Sequence, residues 1–356
     1  MKIVMATGGS AGHLFPAIEA AKCLREESHE VIFIGAFGAG KNRISNESFY
    51  CEELKAKGLQ GKGLVGDLKA VVTLLSASYQ ALLKLRKIKP HVVVGFGGYG
   101  AFPVVMASIL LRIPTMIHEQ NVLPGRANKL LSYFVNKVAI SFKRTDQYLK
   151  RPLVYTGCPT AHSSIQYDRL QTLKEFGFNN TDKIILVFGG SQGSQKINHA
   201  FYEAIDKAHD RLRIQVVHIS GKGKLADLEL MYKNIKRPYI LFEYFEPMEK
   251  LYQLVDIVIS RSGASTVNEL AWFKKPAILV PYRFAGGHQK ENAMVLADAK
   301  TARIIQEKDL NADQLIGEIS VLLENPPSET TFNRLIEELN IKDAAKSLAK
   351  AITSCV

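Results

Sequence analysis

The most informative run in the sequence is SRSGASTVNE at Ser260–Glu269, which combines small residues, hydroxyl groups and a carboxylate. It follows the strand-like run Asp256–Ser260 and is predicted to open a helix. The free N–H groups of a helix N-terminus bind phosphate oxygens, and a carboxylate one turn further accepts hydrogen bonds from sugar hydroxyls. The pattern therefore indicates a site for a nucleotide diphosphate, although any helix that starts with small residues has a similar sequence.

Glycine turns also follow strand-like runs near the start of each half of the chain. Gly8–His13 reads GGSAGH and Gly189–Ser194 reads GGSQGS, where Ser191 and its neighbouring N–H groups could hold a phosphate. The first turn lacks the GxGxxG spacing of the dinucleotide fingerprint, so NAD and FAD are not expected. The run SGKGK at Ser220–Lys224 lacks the spacing of a P-loop, so ATP hydrolysis is not expected either.

His13 is the residue of the first turn that could act as a base. Histidine titrates near neutral pH without help, so His13 could take a proton from an attacking hydroxyl. Ser10 is predicted to cap the helix that follows, and the alternative is that His13 also only caps this helix.

Three further runs place polar or glycine residues after predicted strands. HEQN at His118–Asn121 is a plausible sugar-binding edge or a solvated loop, and GFGGYG at Gly95–Gly100 allows a ligand or a packed helix to approach the backbone. In PYRFAGGHQKEN, Gln289 and Asn292 lie one helical turn apart, so they could share a face near the helix opened by Ser262 and bind vicinal hydroxyls. The alternative for this last run is an ordinary polar helix start.

The elements that must position these residues are buried strands alternating with helices. Continuous apolar runs are typical of strands that are covered on both faces of a parallel sheet. Because strand, glycine turn and helix recur in both halves, we predict an α/β chain with two Rossmann-like domains, at residues 1–160 and 161–335, and a closing helix at 336–356. The amphipathic pattern that predicts this helix runs over Phe332–Ile352. The ten predicted strands are Ile3–Ala6, Val31–Ile34, Val92–Gly95, Thr115–His118, Val138–Ser141, Ile184–Phe188, Ile214–His218, Ile240–Phe242, Ile257–Ile259 and Ala277–Val280.

Composition narrows the class of protein further. The four cysteines are scattered, and neither Asp-x-Asp nor a His/Cys cluster at metal-ligand spacing occurs, so we expect no disulfide framework and no protein-held metal. Pro90–Leu111 lacks charged residues, but its glycines and Pro103 predict a strand, a turn and a helix rather than a membrane span. No signal peptide is expected, because the first strand-like run reaches glycine too early.

The positive charge is concentrated in the first half of the chain. Residues 1–160 hold 21 lysines and arginines against 10 acidic residues, so this half is expected to meet a phospholipid surface, a nucleic acid or a phosphorylated substrate. Lys69–Lys89 is an amphipathic helix with apolar residues beyond one stripe and four cations near its end. It could pack on the core or lie on an anionic membrane.

Taken together and in order, these runs resemble the GT-B glycosyltransferases and, within them, the MurG family. The resemblance covers nearly the whole chain. It implies two Rossmann-like domains with parallel sheets facing across a cleft. It also implies an inverting transfer of N-acetylglucosamine from UDP-N-acetylglucosamine to the C4 hydroxyl of lipid I (undecaprenyl-pyrophosphoryl-MurNAc-pentapeptide), giving lipid II. No cofactor and no nucleic acid is implied. The basic half would lie peripherally on the anionic, cytoplasmic side of the inner membrane.

The same resemblance implies roles for individual residues. His13 and Glu119 would be catalytic, with His13 as the general base. Glu269 would accept hydrogen bonds from the ribose, Phe245 would offer its backbone to uracil, and Gln289 would hold the donor sugar. The other implied substrate-binding residues are Ser10, Gly12, Asn121, Asn128, Ser191, Ser262, Gly263, Ala264, Ser265, His288 and Asn292.

The sequence departs from the family at three places, and three rival functions follow from the same pattern. Gly157–Ala161 lacks the arginine that is expected near the nucleotide, Ala11 replaces a glycine, and Gly286–Gly287 stands where an acidic residue is usual. The rivals are a GT-B transferase that acts on another lipid such as diacylglycerol, a UDP-N-acetylglucosamine 2-epimerase that needs no lipid, and a non-catalytic scaffold that binds UDP weakly.

Overall fold

The computed structural model describes residues 1–54, 64–149, 152–160, 165–190, 192–208, 212–284 and 286–356, with the backbone alone at residue 39 and residues 64–71. The chain divides into two compact units. The first unit contains Met1–Ala161 and Leu339–Val356, and the second contains His162–Glu338.

The first unit is built on a parallel sheet. Within its described residues, seven strands lie in the order β3-β2-β1-β4-β5-β6-β7, and every neighbouring pair is parallel. The strands are β1 Lys2–Gly8, β2 Glu30–Ala36, β3 Tyr50–Glu53, β4 Val92–Gly95, β5 Thr115–Glu119, β6 Lys137–Ile140 and β7 Leu153–Tyr155. The helices are α1 Ala11–Glu26, α2 Lys41–Asn46, α3 Leu64–Ile88, α4 Phe102–Leu110 and α5 Arg126–Leu131, with 3₁₀ turns at Gly38–Gly40 and Lys143–Tyr148.

The second unit repeats this architecture. Its described residues contain six parallel strands in the order β10-β9-β8-β11-β12-β13. The strands are β8 Lys183–Phe188, β9 Ile214–Ile219, β10 Tyr239–Phe242, β11 Ile257–Ser260, β12 Ala277–Leu279 and β13 Ala302–Ile304. The helices are α6 Arg169–Phe176, α7 Gln195–Lys207, α8 Leu225–Tyr232, α9 Met248–Leu254, α10 Ala264–Trp272, α11 His288–Asp298, α12 Ala312–Glu324 and α13 Glu329–Glu338. The prediction of an α/β protein with two parallel sheets is therefore confirmed.

Helices cover both faces of the first sheet, and this explains its continuous apolar strands. In β1, Ile3 and Met5 belong to one buried cluster, and Val4 and Ala6 belong to another. All four are fully buried. Because successive side chains of a strand point to opposite faces, a strand with a core on each side needs an unbroken apolar run.

The strands that the sequence pattern missed lie at sheet edges. All ten predicted strands are present, whereas β3, β7 and β13 were not predicted, and each of the three ends its sheet. β3 and β7 have no buried residue, and β13 has one. An edge strand has a neighbour on one side only, so its sequence carries a weaker apolar signal.

The stretch Pro90–Leu111 forms β4, a glycine turn and α4, as predicted. Across the part of the chain that the structure describes, we find no helix with the length and hydrophobicity to span a bilayer.

The amphipathic stretch Phe332–Ile352 is two helices instead of one. α13 ends at Glu338, and a last helix, α14, spans Ala344–Thr353. Between them Asn340 adopts a left-handed backbone (φ 51°), and its amide donates to the carbonyl of Thr156 at 2.9 Å. The prediction of one helix was wrong because the apolar period continues through this turn. α13 belongs to the second unit, while α14 packs on α1 in the first.

Candidate active site

The glycine turns lie at the two points where the strand order reverses. In the first sheet β1 lies between β2 and β4, and in the second sheet β8 lies between β9 and β11. The turns GGSAGH and GFGGYG follow β1 and β4, and the turns GGSQGS and RSGAS follow β8 and β11. Ligands of open α/β sheets bind at the carboxyl ends of the strands beside such a reversal. The topology thus brings the four turns to two candidate sites, one in each unit.

Ser10 and His13 form a pair at the start of α1. Ser10 is the N-cap residue by position, but its side chain makes no capping hydrogen bond, so that prediction was wrong. Instead its Oγ lies 2.7 Å from Nδ1 of His13, which is one turn further on. When Nδ1 donates to Ser10, Nε2 is left as the acceptor, and this is the tautomer that a general base needs.

The second glycine turn forms the wall beside His13. Gly97 has a left-handed backbone (φ 88°), and a Cβ atom built on it would lie 3.2 Å from Nε2 of His13 and 3.4 Å from Nδ2 of Asn128. Glycine at this position therefore lets the imidazole and the amide approach the backbone. Burial lowers the pKa of His13, and the negative charge of Glu119 opposes that shift. The imidazole is consequently neutral at neutral pH and able to accept a proton.

Glu119 is a buried carboxylate that holds the following turn together. It is 1% exposed and accepts four hydrogen bonds at 2.8–3.1 Å. The donors are the backbone and the side-chain amide of Asn121, the backbone of Gly125 and the side-chain amide of Asn128. With its oxygens occupied in this way, Glu119 organises the turn and acts on His13 through its charge. Its catalytic assignment stays a prediction.

Asn128 adds a further hydrogen-bond acceptor beside Gly97 and His13. Its Nδ2 donates to Glu119 and to the carbonyl of His118, while its Oδ1 is buried and has no partner among the described residues. A buried unpaired oxygen is costly unless a ligand or water donates to it. Asn128 therefore fits the predicted contact with a substrate hydroxyl.

Two of the four residues in HEQN point into the protein interior. His118 is fully buried, its Nε2 lies 3.2 Å from the carbonyl of Gly157, and burial lowers its pKa to about 4. Gln120 donates to the carbonyl of Phe96 at 3.0 Å and to Nδ1 of His118 at 3.1 Å. The interpretation of all four residues as a sugar-binding edge was wrong, because His118 and Gln120 join the β5 region to its neighbours.

In the second unit, the turn after β8 packs directly on the turn after β9. Gly193 is left-handed (φ 67°), and a Cβ atom there would lie 2.1 Å from the carbonyl oxygen of Ser220. Only glycine fits so close an approach. The turn ends at Ser194, which caps α7 by accepting from the backbone N–H of Ile197. The predicted phosphate contact at Ser191 lies outside the described residues.

The turn after β11 leads into α10 and is tied to the start of α11. The N-cap of α10 is Gly263, and Ala264 is its first helical residue. Ser262 is fully buried and donates to the backbone carbonyl of Gln289 at 2.7 Å, while the amide of Asn292 donates to the carbonyl of Ser262. The structure thus brings Gln289 and Asn292 next to Ser262. It leaves the N–H groups of the first turn of α10, rather than the Ser262 hydroxyl, for an anion.

Two side chains on α10 complete this candidate site. The hydroxyl of Ser265, in the first turn, is buried and has no partner among the described residues. One turn further, Oε2 of Glu269 accepts a hydrogen bond of 2.8 Å from the hydroxyl of Tyr252. Burial raises the pKa of Glu269, and this hydrogen bond opposes the shift.

The remaining predicted residues stay predictions. Phe245 is half-buried and packs on Phe242 with ring centroids 4.7 Å apart. Gly12 is exposed, and a Cβ atom there would meet nothing within 4 Å. His288 lies beside Gly286, and Ala161 is outside the described residues. Among the described residues, no group of three or more His, Cys, Asp and Glu side chains could hold a metal ion, and transfer without a protein-held metal stays an expectation.

Comparison with known proteins assigns the family. A model of the glycosyltransferase family 28 N-terminal domain matches residues 3–140, and a model of the C-terminal domain of that family matches residues 184–349. A relative from a Sulfurihydrogenibium species is 35% identical over 96% of this chain and 92% of its own length. It is named UDP-N-acetylglucosamine–N-acetylmuramyl-(pentapeptide) pyrophosphoryl-undecaprenol N-acetylglucosamine transferase. The chain belongs to glycosyltransferase family 28.

Solved structures show how widely the fold of this glycosyltransferase is shared. MurG from Acinetobacter baumannii matches with a TM-score of 0.76 at 23% identity, over 99% of both chains. A putative UDP-N-acetylglucosamine 2-epimerase from Listeria monocytogenes matches with a TM-score of 0.73 at 12% identity, over 99% of this chain and 96% of that one. The fold therefore does not by itself separate a transferase from an epimerase.

A buried arginine, to which the sequence pattern assigned no role, links two turns of the glycosyltransferase. Arg261 donates to the carbonyl of Val280 at 3.0 Å and to Oγ of Ser194 at 2.8 Å, and it forms a buried ion pair with Glu307. It thereby joins the turn after β11 to the cap of α7. Arg261 stands inside the RSGAS motif, but Glu307 lies 46 residues away and carries no local signal.

Proposed function

We propose that this chain transfers N-acetylglucosamine from UDP-N-acetylglucosamine to the C4 hydroxyl of lipid I, which gives lipid II and UDP in peptidoglycan synthesis. The observation that carries the proposal is the full-length similarity to relatives named for this transfer, one of them 35% identical over 96% of the chain. Two paired sets of glycine turns, one in each unit, support it.

The donor is assigned to the second unit. The first-turn N–H groups of α10 offer a diphosphate the positive end of a helix dipole. We assign the ribose hydroxyls to Glu269, one turn later, and the Ser265 hydroxyl, which has no partner among the described residues, offers a further donor. Phe245 and Gln289 are assigned to uracil and to the donor sugar. These contacts stabilise the charge that develops on the leaving UDP.

The acceptor is assigned to the first unit, with His13 as the general base. As the C4 oxygen of the acceptor attacks the anomeric carbon, Nε2 of His13 takes the hydroxyl proton, and the bond to the UDP oxygen breaks. Displacement from the opposite face inverts the anomeric centre. The lowered pKa of His13 keeps the ring neutral before the reaction, and Glu119 stabilises the imidazolium that forms.

A radiolabel assay tests this function against its rivals. Labelled UDP-N-acetylglucosamine is incubated with a short-chain lipid I analogue, with a diacylglycerol, or with no acceptor. We expect label transfer to the lipid I analogue alone. Transfer to diacylglycerol, or conversion of the donor without acceptor, would replace the proposal by one of the two catalytic rivals. UDP binding without any turnover would support the scaffold.

The membrane contact is assigned to the exposed face of α3. Ala77, Ala81 and Leu85 of this helix are fully buried, while the opposite face exposes Leu75 by 65% and Tyr79 by 64%. This second apolar face also carries Val72 and Leu83, and Arg86, Lys87 and Lys89 are exposed near its C-terminal end. An apolar face beside clustered cations is typical of a surface that binds anionic lipid. We infer peripheral attachment to the cytoplasmic leaflet, where a polyprenyl acceptor would be met.

Vesicle sedimentation tests this attachment. We expect the wild type to bind vesicles of phosphatidylglycerol more strongly than vesicles of phosphatidylcholine, and Leu75→Glu to reduce this binding. Leu230→Glu is the matched control, because Leu230 is a 74% exposed leucine of the second unit. Equal loss of binding in both variants, or in neither, would count against α3 as the membrane surface.

A further inference from the structure

Tyr252 is a buried tyrosine of the second unit that the mechanism above does not use. It lies on α9, is 1% exposed, and donates from its hydroxyl to Oε2 of Glu269 at 2.8 Å. Its ring stacks on Phe273 with centroids 5.3 Å apart and meets the ring of Phe188 at 6.4 Å. Phe188 ends β8, and Phe273 is the C-cap of α10. The ring of Tyr252 therefore packs between the end of β8, which leads to a glycine turn, and the C-terminal end of α10, the helix that carries Glu269.

The hydrogen bond leaves the Glu269 carboxylate with one oxygen for a ligand. Within the described residues, Oε2 is the oxygen of Glu269 that has a partner. A carboxylate held at one oxygen by a rigid donor loses little freedom when a second donor binds at the other. The aromatic contacts supply that rigidity, because they fix the ring of Tyr252 on two sides.

We propose that Tyr252 is a positioning residue that holds Oε2 of Glu269 so that Oε1 is presented to a ribose hydroxyl of the nucleotide donor. This inference rests on the proposed role of Glu269 in donor binding. Tyr252 acts through the carboxylate and does not itself contact the donor.

The same contact favours the charged form of Glu269. Burial raises the pKa of Glu269, the Tyr252 hydroxyl lowers it, and the carboxylate of Glu249 on α9 raises it. Helices α11 and α13 also pack on α10, and neither places a charged group that shifts this pKa among the described residues. A protonated carboxyl is the weaker acceptor for a hydroxyl, so donor binding requires the ionised form.

Tyr252→Phe tests the proposal, because it removes the hydroxyl and keeps the ring. We expect the KM for UDP-N-acetylglucosamine to rise about tenfold while kcat changes by less than about twofold. Calorimetry with UDP-N-acetylglucosamine and no acceptor should show the same rise in Kd. Without the hydrogen bond the pKa of Glu269 rises further, so donor binding should be lost at a higher pH than in the wild type.

Tyr232→Phe is the matched control for the loss of a buried phenol hydroxyl. The Tyr232 hydroxyl lies 2.8 Å from Nδ1 of His218, and Tyr232 is fully buried in the same unit. This variant should lower the unfolding temperature without moving the pH at which donor binding is lost. In a Glu269→Gln background, Tyr252→Phe should change the donor Kd by less than about twofold, since the two residues act as one unit.

The outcomes separate this inference from the function on which it rests. If Glu269→Ala binds UDP-N-acetylglucosamine as tightly as the wild type, the proposed role of Glu269 fails, and that of Tyr252 fails with it. If Glu269→Ala weakens binding but Tyr252→Phe matches the wild type at every pH, only the inference about Tyr252 is overturned. Equal pH shifts in Tyr252→Phe and Tyr232→Phe would also overturn it.

Discussion

Both sheets reverse their strand order beside a pair of glycine turns, but the two pairs of turns carry different polar groups. Among the described residues of the first unit, Oδ1 of Asn128 has no hydrogen-bond partner, and Nε2 of His13 is the ring nitrogen that does not face Ser10. In the second unit, the side chains of Ser194, Arg261 and Ser262 bond to one another or to the backbone. The first reversal therefore offers side chains for acid–base chemistry. The second holds the N–H groups of the first turn of α10 on a rigid frame, with the Ser265 hydroxyl and one oxygen of Glu269 beside them. This difference suits a base at the first and a leaving diphosphate at the second.

The largest expected effect on catalysis is the loss of His13 from the first unit. We expect His13→Ala to lower kcat by about a hundred- to ten-thousand-fold, because the variant loses the general base. The KM for UDP-N-acetylglucosamine should stay near the wild-type value, since the donor is assigned to the second unit. Steady-state kinetics measures both. His91→Ala, at an exposed histidine of the same unit, is the control. A wild-type kcat in His13→Ala would remove the assigned base.

Removing Arg261 should have the largest effect on the frame of the second unit. Arg261→Ala leaves Glu307 buried without its cation, so we expect a loss of about 3–5 kcal/mol in the free energy of unfolding, measured with urea. Arg303→Ala breaks the exposed ion pair with Glu318 and should cost less than about 1 kcal/mol. Similar losses in the two variants would show that the buried network does not hold the turns.

Two serines at the start of α10 distinguish a side chain that holds the turn in place from one that is available to the ligand. Ser262→Ala leaves the carbonyl of Gln289 without its donor, so stability should fall by about 1 kcal/mol with little change in the donor Kd. Ser265→Ala removes a hydroxyl that has no partner among the described residues, so the donor Kd should rise several-fold with stability unchanged. Calorimetry measures the donor Kd, and urea unfolding measures the stability. A raised donor Kd in Ser262→Ala with a loss of stability in Ser265→Ala would contradict the assignment.

The smallest expected effect is a shift in pH dependence. Activity needs neutral His13, whose pKa burial lowers below the usual 6.5, so kcat should fall only on the acid side of that value. The charge of Glu119 raises this pKa, so Glu119→Gln should move the acid limb of kcat to lower pH. A shift to higher pH would show that Glu119 does not act on His13 through its charge.

The sequence pattern predicted central elements better than edges and turns. Strands buried on both faces, such as β1 and β8, have continuous apolar runs, whereas the edge strand β3 has the sequence YCEE and no such signal. The break at Asn340 was missed because one apolar period runs through both flanking helices. Local periodicity reports burial, and it does not report where a single residue turns left-handed.

Within the site, residue types were predicted well and their partners were not. Spacing placed Gln289 and Asn292 near Ser262, and the structure brings them together. No local pattern shows that the Ser262 hydroxyl is used by a carbonyl of α11 or that Arg261 meets Glu307. Such contacts join segments distant in sequence, so only the folded chain reveals which polar groups remain for a ligand.

The docking of α14 has a consequence for how the protein is made. Leu348 and Ile352 fill the same buried cluster as Ile3 and Leu24, so the core of the first unit combines residues that are far apart in the chain and is complete only once α14 has been added. The first unit, which contains the strands that are synthesised first, is thus the unit whose core is completed last. A chain truncated before residue 344 should therefore leave the first unit more open to proteases than the second, which limited proteolysis would measure.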